Sequence, residues 1–291
     1  MNAETEEEAA QELSATTVYK DSMEKTRMAR VALLKTIGCS QLFAARLTDD
    51  WKFESKPFNL HQLVEQTAHS IEFIFNERRS GAIKINIEVE KETPTEVIGN
   101  EAMIYLMIMN IFKNTAKIMM ERKTKKEDQQ INVKLIERDG VLFIHYTDTA
   151  GGIDINGVIA SAVERIVEVQ SKTETEDEEA MPRTLRVISQ GSWNMARQLT
   201  LQDICNLIFE GYISAREGGS GIGLSEGKEI LNKHGAYIQV SPTRSKGTQF
   251  LIAFPLQDTS LEDLQRTIDQ TKYELDQTEN AHLGIKVNQS A

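Results

Sequence analysis

The sequence has few cysteines and no long apolar run. Its only cysteines, Cys39 and Cys205, are too few and too far apart for a disulfide framework or a zinc site, so both are predicted to be buried in a reducing compartment. No stretch of about 18 apolar residues is present, so no membrane contact is expected. The acidic first residues lack the basic and apolar regions of a signal peptide, which favours a cytoplasmic location.

Basic residues are also in the minority. The net charge of −11 at pH 7 disfavours binding to a phosphate backbone, so nucleic acid is not an expected partner. The one basic run, residues 121–126, is interpreted as a solvated helix end in preference to a phosphate-facing patch. With 291 residues and 40% hydrophobic content, the chain can form one large domain or two ordinary ones.

The first part of the chain lacks proline and is predicted to form one long helix over residues 4–51. A helix of that length is not stable alone, so it is expected to pack against a partner helix or a second copy. Residues 1–55 are therefore interpreted as a partial dimerisation element. Asn59 is a plausible N-cap for a second helix that ends near residue 79.

The remainder alternates between strand and helix periods. Strands are predicted at 82–90, 97–98, 131–137, 141–146, 237–241 and 248–254, and helices at 100–122, 201–209 and 222–234. This order predicts an α+β fold, a two-layer sandwich of a mixed sheet with helices on one face. It would form a domain over residues 56–256.

Two segments fall outside this pattern. Residues 156–218 are interpreted as an insert or lid that contains the acidic run 173–179. Residues 257–291 are interpreted as a helical tail. The apolar side of its helix, over 259–280, is expected to dock on a neighbour; it consists of Leu261, Leu264, Ile268 and Leu275.

One predicted helix carries a polar face among apolar residues. Asn110, Asn114 and Lys117 are spaced at i, i+4 and i+7, which places them on one side of the helix. Two amides and an ammonium buried together require partners, because an unsatisfied buried amide costs about 1–3 kcal/mol. A hydrogen-bond network within the core is one interpretation of this face, and a hydrated magnesium ion with a triphosphate is the other.

Two glycine turns lie far apart in the sequence. Asp148 ends a strand and opens the turn 149–153, and its carboxylate could accept a hydrogen bond from the amine of adenine. Gly219, Gly221 and Gly223 form the second turn, where backbone N–H groups can approach phosphate oxygens closely. Each motif alone also fits an ordinary turn, whereas the pair favours a nucleotide pocket.

These motifs occur in the order of a known ATPase superfamily. The chain carries NIFKNTAK at 110–117, DTAGGI at 148–153, IFEGYIS at 208–214, GSGIGL at 219–224 and KGT at 246–248. This set resembles the catalytic ATP-binding domain of sensor histidine kinases, which belongs with the gyrase, heat-shock chaperone and mismatch-repair ATPases. Residues 16–53 resemble the second helix of the dimerisation domain in such kinases.

The resemblance implies a role for each motif. Asn114 would bind magnesium with Asn110 beside it, Lys117 would contact a phosphate, and Asp148 would bind the adenine amine. By motif, the other implied nucleotide contacts are Gly152, Ile153 and Thr248 at the base, Phe209 in the lid, and Gly219, Gly221, Gly223 and Leu224 at the phosphates.

Three departures from the family pattern are present. Ala150 replaces a usual glycine, which a negative φ would tolerate, and Ile118 replaces a common aromatic residue. No histidine lies in the predicted N-terminal helix. All five histidines are expected to have packing or surface roles; they are His61, His69, His145, His234 and His282.

The resemblance implies a kinase module that binds ATP and Mg²⁺ and phosphorylates a histidine on another segment or protein. The expected partners are a histidine-bearing dimerisation or phosphotransfer domain, a response regulator and a second copy in a homodimer. A catalytically silent ATP-binding protein that dimerises through its N-terminal helix is an alternative. An ATP-hydrolysing enzyme is less favoured, because such enzymes generally have a carboxylate at the position of Asn110.

Overall fold

The structure, a computed structural model, describes residues 54–76, 83–123, 125, 128–172, 200–211, 213, 221–243 and 247–282. The predicted long helix at 4–51, the acidic run at 173–179 and Gly219 lie outside these residues. Within them, no helix combines the length and the apolar character needed to cross a bilayer.

Strands and helices alternate along the described part of the chain. In chain order the elements are β1 (Lys56–Asn59), α1 (Leu60–Asn76), β2 (Lys84–Val89), β3 (Glu96–Gly99), α2 (Glu101–Glu121), β4 (Gln130–Arg138), β5 (Val141–Asp148), α3 (Ile155–Lys172), α4 (Leu201–Asn206), α5 (Ile222–Lys233), β6 (Tyr237–Pro242), β7 (Thr248–Pro255) and α6 (Leu261–His282). A 3-10 helix, Leu207–Phe209, follows α4 directly.

A five-stranded sheet in the order β2-β4-β5-β7-β6 forms the centre of the domain. β2 pairs with β4 in parallel, and the other three pairs are antiparallel. Asp139 and Gly140 have φ values of +50° and +76° and join β4 to β5, as expected for an Asp-Gly hairpin. The predicted mixed sheet and α+β class are confirmed.

Helices α1, α2 and α5 cover one face of this sheet. Alternate residues of β5, namely Leu142, Ile144 and Tyr146, are buried in the main core that this layer forms with the sheet. α2 begins at its N-cap Asn100, whose side chain accepts a hydrogen bond from the backbone of Met103. This layer matches the predicted helices on one face.

Two elements in the structure differ from the sequence interpretation. Residues 56–59 form β1, which pairs antiparallel with β3 in a separate two-stranded sheet. Residues 155–172 form α3, where the sequence predicted an insert or lid and no helix. Val158, Ala162 and Ile166 repeat at intervals of four and pack in a second cluster of their own.

α6 packs on the opposite face of the sheet, so the neighbour on which the tail docks is the chain's own domain. Its Leu264 and Ile268 are buried against Ile136 and Phe143 of the sheet, and Leu275 packs against the same cluster. Leu261, which was assigned to the same apolar side, is 85% exposed because it is the first residue of the helix. The sheet is therefore covered on both faces over part of its area.

The stability of the domain is expected to depend on pH through His145 of β5. Burial, with the charge of Lys134 as the second cause, lowers the pKa of His145 from 6.5 to about 4. The unfolded chain binds this proton below pH 6.5, whereas the folded chain does not until about pH 4. The contribution of His145 to stability is therefore complete above pH 6.5 and falls by up to about 3 kcal/mol as the pH approaches 4.

Urea unfolding of the chain and of His145→Leu between pH 7 and pH 4.5 measures this dependence. The free energy of unfolding should fall more steeply with decreasing pH in the unmodified chain than in the variant. Equal slopes would show that His145 is not the responsible group.

Candidate functional site

Asp148 at the end of β5 is buried where three elements meet. Its Oδ1 accepts hydrogen bonds from the backbone N–H groups of Ala150 at 2.9 Å and Thr248 at 3.1 Å, and its Oδ2 accepts one from the Thr115 hydroxyl at 3.0 Å. A carboxylate has about four acceptor positions, so one on Oδ2 remains for a further donor. Burial raises the pKa of Asp148, and the three hydrogen bonds oppose that shift.

A chain of hydroxyl groups orients this carboxylate. The Tyr146 hydroxyl donates to Thr115 Oγ1 at 2.6 Å, and Thr115 in turn donates to Asp148. Burial raises the pKa of Tyr146 well above its usual value, which keeps the hydroxyl protonated and able to donate. Neither Tyr146 nor Thr115 was among the predicted site residues, although Thr115 directly follows Asn114 in the motif.

Arg122 holds the turn that follows Asp148. Its Nη1 donates to the carbonyl oxygens of Ala150 at 2.8 Å and Gly152 at 3.4 Å. Gly151 has φ +96°, and a Cβ there would overlap the Arg122 guanidinium, so this position requires glycine. Ala150 does not have a positive φ, so an alanine is tolerated where the family usually has a glycine.

Arg122 is exposed at the C-cap of α2, as predicted for a solvated helix end, and it also holds the turn that follows Asp148. The Arg122→Ala substitution is expected to loosen the turn and to weaken ATP binding by about tenfold, since two carbonyl acceptors lose a charged donor. Isothermal titration calorimetry with ATP measures this change. Lys113→Ala, an exposed position on the same helix, should bind as the unmodified chain does. Equal affinities in the two variants would contradict this role for Arg122.

The polar face of α2 meets the beginning of α5. Asn110 Nδ2 donates to the carbonyl oxygen of Gly223 at 3.2 Å. Gly221 is the N-cap of α5 with φ +65°, and Leu224 packs against the main core. The positive end of the α5 dipole and its first N–H groups therefore lie beside the predicted amide face, an arrangement suited to anions.

Asn114 and Lys117 lie on the same helix and are half-buried. Within the described residues, no hydrogen bond engages the Asn114 side chain. Its amide oxygen is a hard ligand of the kind that Mg²⁺ accepts, and Mg²⁺ commonly takes few protein ligands beside substrate phosphates. The described part of the chain has no group of three or more acidic, histidine or cysteine side chains that could hold a metal. A single amide ligand is thus the fit that this face offers.

Aromatic packing places the predicted lid and base residues. Phe209 is buried edge-on against Phe250 of β7 with ring centroids 6.4 Å apart, and Phe250 in turn contacts Tyr146 at 5.7 Å. Ile153 packs against both the main core and the α3 cluster.

Gly247 precedes β7 and lies against the end of β5. A Cβ at this position would overlap the carbonyl oxygen of Asp148, so only glycine permits this approach of β7 to β5. Ile118 packs on the core.

The four histidine side chains that the structure describes have local roles. His61 pairs with Glu65 at 3.3 Å, His69 is exposed, and His145 lies on the second face of the sheet. His234 accepts a hydrogen bond from the Asn100 N–H at Nε2 and contacts the Ile230 carbonyl through Nδ1. Nδ1 therefore carries the proton, and this ring joins the end of α5 to the start of α2.

Residues 99–258 match the family described as histidine kinase-, DNA gyrase B-, and HSP90-like ATPase. The fold is similar to that of the mycobacterial sensor histidine kinase MprB, at 20% identity and a TM-score of 0.43, with 69% of this chain and 97% of that chain covered. No curated protein matches the chain significantly.

Two further solved structures are similar. The catalytic domain of the histidine kinase ThkA, in a nucleotide-free form, has 15% identity and a TM-score of 0.43, with 70% of this chain and 99% of that chain covered. Full-length ShkA in complex with AMPPNP has 15% identity and a TM-score of 0.44. That comparison covers 72% of this chain and 33% of ShkA, so this chain spans about a third of that protein.

Proposed function

Because this chain belongs to the histidine kinase-, DNA gyrase B-, and HSP90-like ATPase family, with more than half of its residues in the match, we propose that it binds Mg-ATP and phosphorylates a histidine. The observation that carries this proposal is the junction at Asp148. There the carboxylate joins α2 through Thr115 and β7 through Thr248, while Asn110 of the same α2 holds the beginning of α5. One helix thus connects the carboxylate that would bind the base to the helix start that would bind the phosphates.

Each side of this cleft has its own task. The free acceptor position on Asp148 Oδ2 would take the adenine amine, with Gly152, Ile153 and Thr248 around the base. Gly219, Gly221, Gly223 and Leu224 would hold the phosphates at the start of α5, and Phe209 would belong to the lid. Asn114 would hold Mg²⁺, which when bound supplies positive charge to the phosphate oxygens, and Lys117 would add a second cation.

The reaction would be a displacement at the γ-phosphorus. A nitrogen of the acceptor imidazole forms the new N–P bond while the bond to the β–γ bridging oxygen breaks, and ADP leaves with that electron pair. The other imidazole nitrogen releases its proton to solvent. The contribution of this chain is to position the triphosphate and to neutralise its charge, which are the main sources of rate in phosphoryl transfer.

The contact made by Asn110 favours transfer over hydrolysis. An enzyme that hydrolyses ATP needs a group that orients or deprotonates water. Here the side chain at position 110 is an amide that cannot take a proton, and its Nδ2 is engaged with the Gly223 carbonyl. It fastens α2 to α5 and is not suited to activating water.

The acceptor would be supplied by a histidine-bearing dimerisation or phosphotransfer domain, with a response regulator receiving the phosphoryl group next. The protein would form a homodimer through residues 1–55 and would be located in the cytoplasm. The domain division at 56–256 and 257–291 stays a prediction, and α6 supplies a contact between those two parts.

Incubation of the full chain with Mg²⁺ and γ-labelled ATP tests the proposal. The probe is a histidine-bearing helical-hairpin dimerisation domain, and the matched control is the same hairpin with its acceptor histidine changed to glutamine. Acid-labile, alkali-stable label on the hairpin alone would support histidine phosphorylation. Nucleotide binding without phosphoryl transfer would favour the alternative of a catalytically silent ATP-binding protein. Release of free phosphate without any phosphoprotein would favour an ATP-hydrolysing enzyme.

A further inference from the structure

A cavity lies between α6 and the sheet face opposite the helix layer. Its volume is about 640 Å³, within the range of small-molecule sites in proteins. Its described lining comes from β2, β4, β5 and β7 on one side and from the later turns of α6 on the other. The aliphatic contacts of α6 with the sheet lie at one end, where Leu275 also lines the cavity.

Strand pairing builds a polar floor for this cavity. Paired residues point to the same face, so Asn132, Thr147 and Gln249 form a row across β4, β5 and β7. Lys134 and His145 form the next row. All five residues line the cavity. The same face is apolar only where α6 packs on it, so the polar half is not explained by packing.

Two side chains in this floor carry buried polar atoms without partners in the described structure. Gln249 is 3% exposed, and its Nε2 has no hydrogen bond. The Nε2 of His145 is also buried and without a partner. Natural proteins rarely leave such atoms unpaired, because burial has already removed their water. Both side chains belong to the lining, so a molecule in this cavity would be close to the two unpaired atoms.

Charge excludes one class of occupant. Five acidic residues and two cations line the cavity, namely Glu88, Glu90, Asp148, Glu274, Glu279, Lys134 and Arg138. The two cations are already paired, Lys134 with Glu88 at 3.5 Å and Arg138 with Glu90 at 2.5 Å. The excess of carboxylates repels an anion, and apart from the paired Lys134 the floor consists of Asn132, Thr147, Gln249 and His145.

We propose that this cavity binds an uncharged, hydroxyl- or amide-bearing small molecule of about nucleoside size, and that the side chains of Gln249 and His145, whose Nε2 atoms are closed to solvent in the structure, turn toward it to form hydrogen bonds. The Gln249 amide would donate to an acceptor on the molecule. The site lies on the side of β5 away from the helix layer, yet Asp148 also borders it, directly after Thr147 of the floor. A molecule bound here would therefore contact the strand whose end carries the nucleotide-binding carboxylate.

NMR of the full chain with ¹⁵N-labelled glutamine side chains tests this site, with uridine and glucose as neutral probes and inorganic phosphate and spermidine as charged probes. Saturating Mg-ATP is present in a parallel series, so binding in the nucleotide cleft is separated from binding here. At least one neutral probe should shift the Gln249 NH₂ signals saturably in both series, with a millimolar dissociation constant. Absence of such a shift with both neutral probes would overturn the proposal, as would a shift with charged probes only.

Gln249→Leu and Gln239→Leu form a matched pair of variants. Gln239 is also a buried glutamine with an unpartnered atom, but it does not line the cavity. Probe affinity, followed through the His145 ring signals, should fall at least tenfold in Gln249→Leu and change less than twofold in Gln239→Leu. If Gln249→Leu does not fold, His145→Leu replaces it, and probe affinity is then measured through the Gln249 NH₂ signals. Equal affinities in the cavity variant and the control would overturn the proposal.

Discussion

Asn114→Ala is expected to weaken Mg-ATP binding by about 100-fold and to leave ATP binding in EDTA nearly unchanged. The amide oxygen would lose its contact with a divalent cation, and contacts to charged groups contribute roughly 1.5–3 kcal/mol, or about 10- to 100-fold in affinity. The fold should survive, because the half-buried side chain makes no hydrogen bond with the described residues. Calorimetric titration with and without Mg²⁺ measures the difference.

The matched control for this substitution is Asn232→Ala. Asn232 is exposed and lies near the opposite end of α5 from Gly221. Its loss should change neither affinity nor the midpoint of thermal unfolding by more than experimental error. If Asn114→Ala retained the Mg-ATP affinity of the control, the polar face of α2 would not be a metal site, and a core hydrogen-bond network would be the better interpretation of that face.

Asp148→Asn is expected to weaken ATP binding by more than 100-fold and to destabilise the fold by about 2 kcal/mol. The carboxylate accepts three hydrogen bonds, from Ala150, Thr248 and Thr115. An amide of the same shape has an NH₂ group in place of one oxygen, so at least one donor would face another donor. Thermal unfolding and nucleotide titration measure the two effects separately.

The choice between ATP and GTP separates the binding role of Asp148 from its structural role. Adenine presents an amine to the carboxylate, whereas guanine presents a carbonyl oxygen at the corresponding position. The unmodified chain should therefore prefer ATP strongly, and Asp148→Asn should reduce the ratio of the two affinities at least tenfold. A general loss of stability affects both nucleotides equally, so an unchanged ratio would contradict base recognition by this residue.

The sequence was informative about the site where its motifs are short and local. The turn at 148–153, the start of α5 and the amide face of α2 each depend on residues within one or two turns of one another. Their order along the chain gave the family, and the match over residues 99–258 supports it. The role of each site residue stays a prediction.

Residues that act across the fold could not be identified in this way. Arg122 contacts the backbone of a turn 28 and 30 residues away, and this contact depends on where α2 ends relative to β5. Tyr146 reaches Asp148 only through Thr115 of a different element. Nothing in the local pattern distinguishes such side chains from an ordinary surface arginine or core tyrosine.

The missed elements have similar causes. β1 is four residues long and contains Pro57, so it depends on pairing with β3 and not on local propensity. The apolar side of α6 predicted that this helix docks, but it did not identify the second face of the sheet as its surface. The cavity beneath α6 follows from that docking, so it too was beyond the sequence pattern.

A crystal structure of the full chain with Mg²⁺ and a non-hydrolysable ATP analogue tests the nucleotide cleft most directly. We expect the adenine amine about 3 Å from Asp148 Oδ2, the phosphates at the start of α5 and the metal at the Asn114 amide oxygen. An adenine ring bound away from Asp148, or phosphates remote from Gly221 and Gly223, would contradict the proposed cleft.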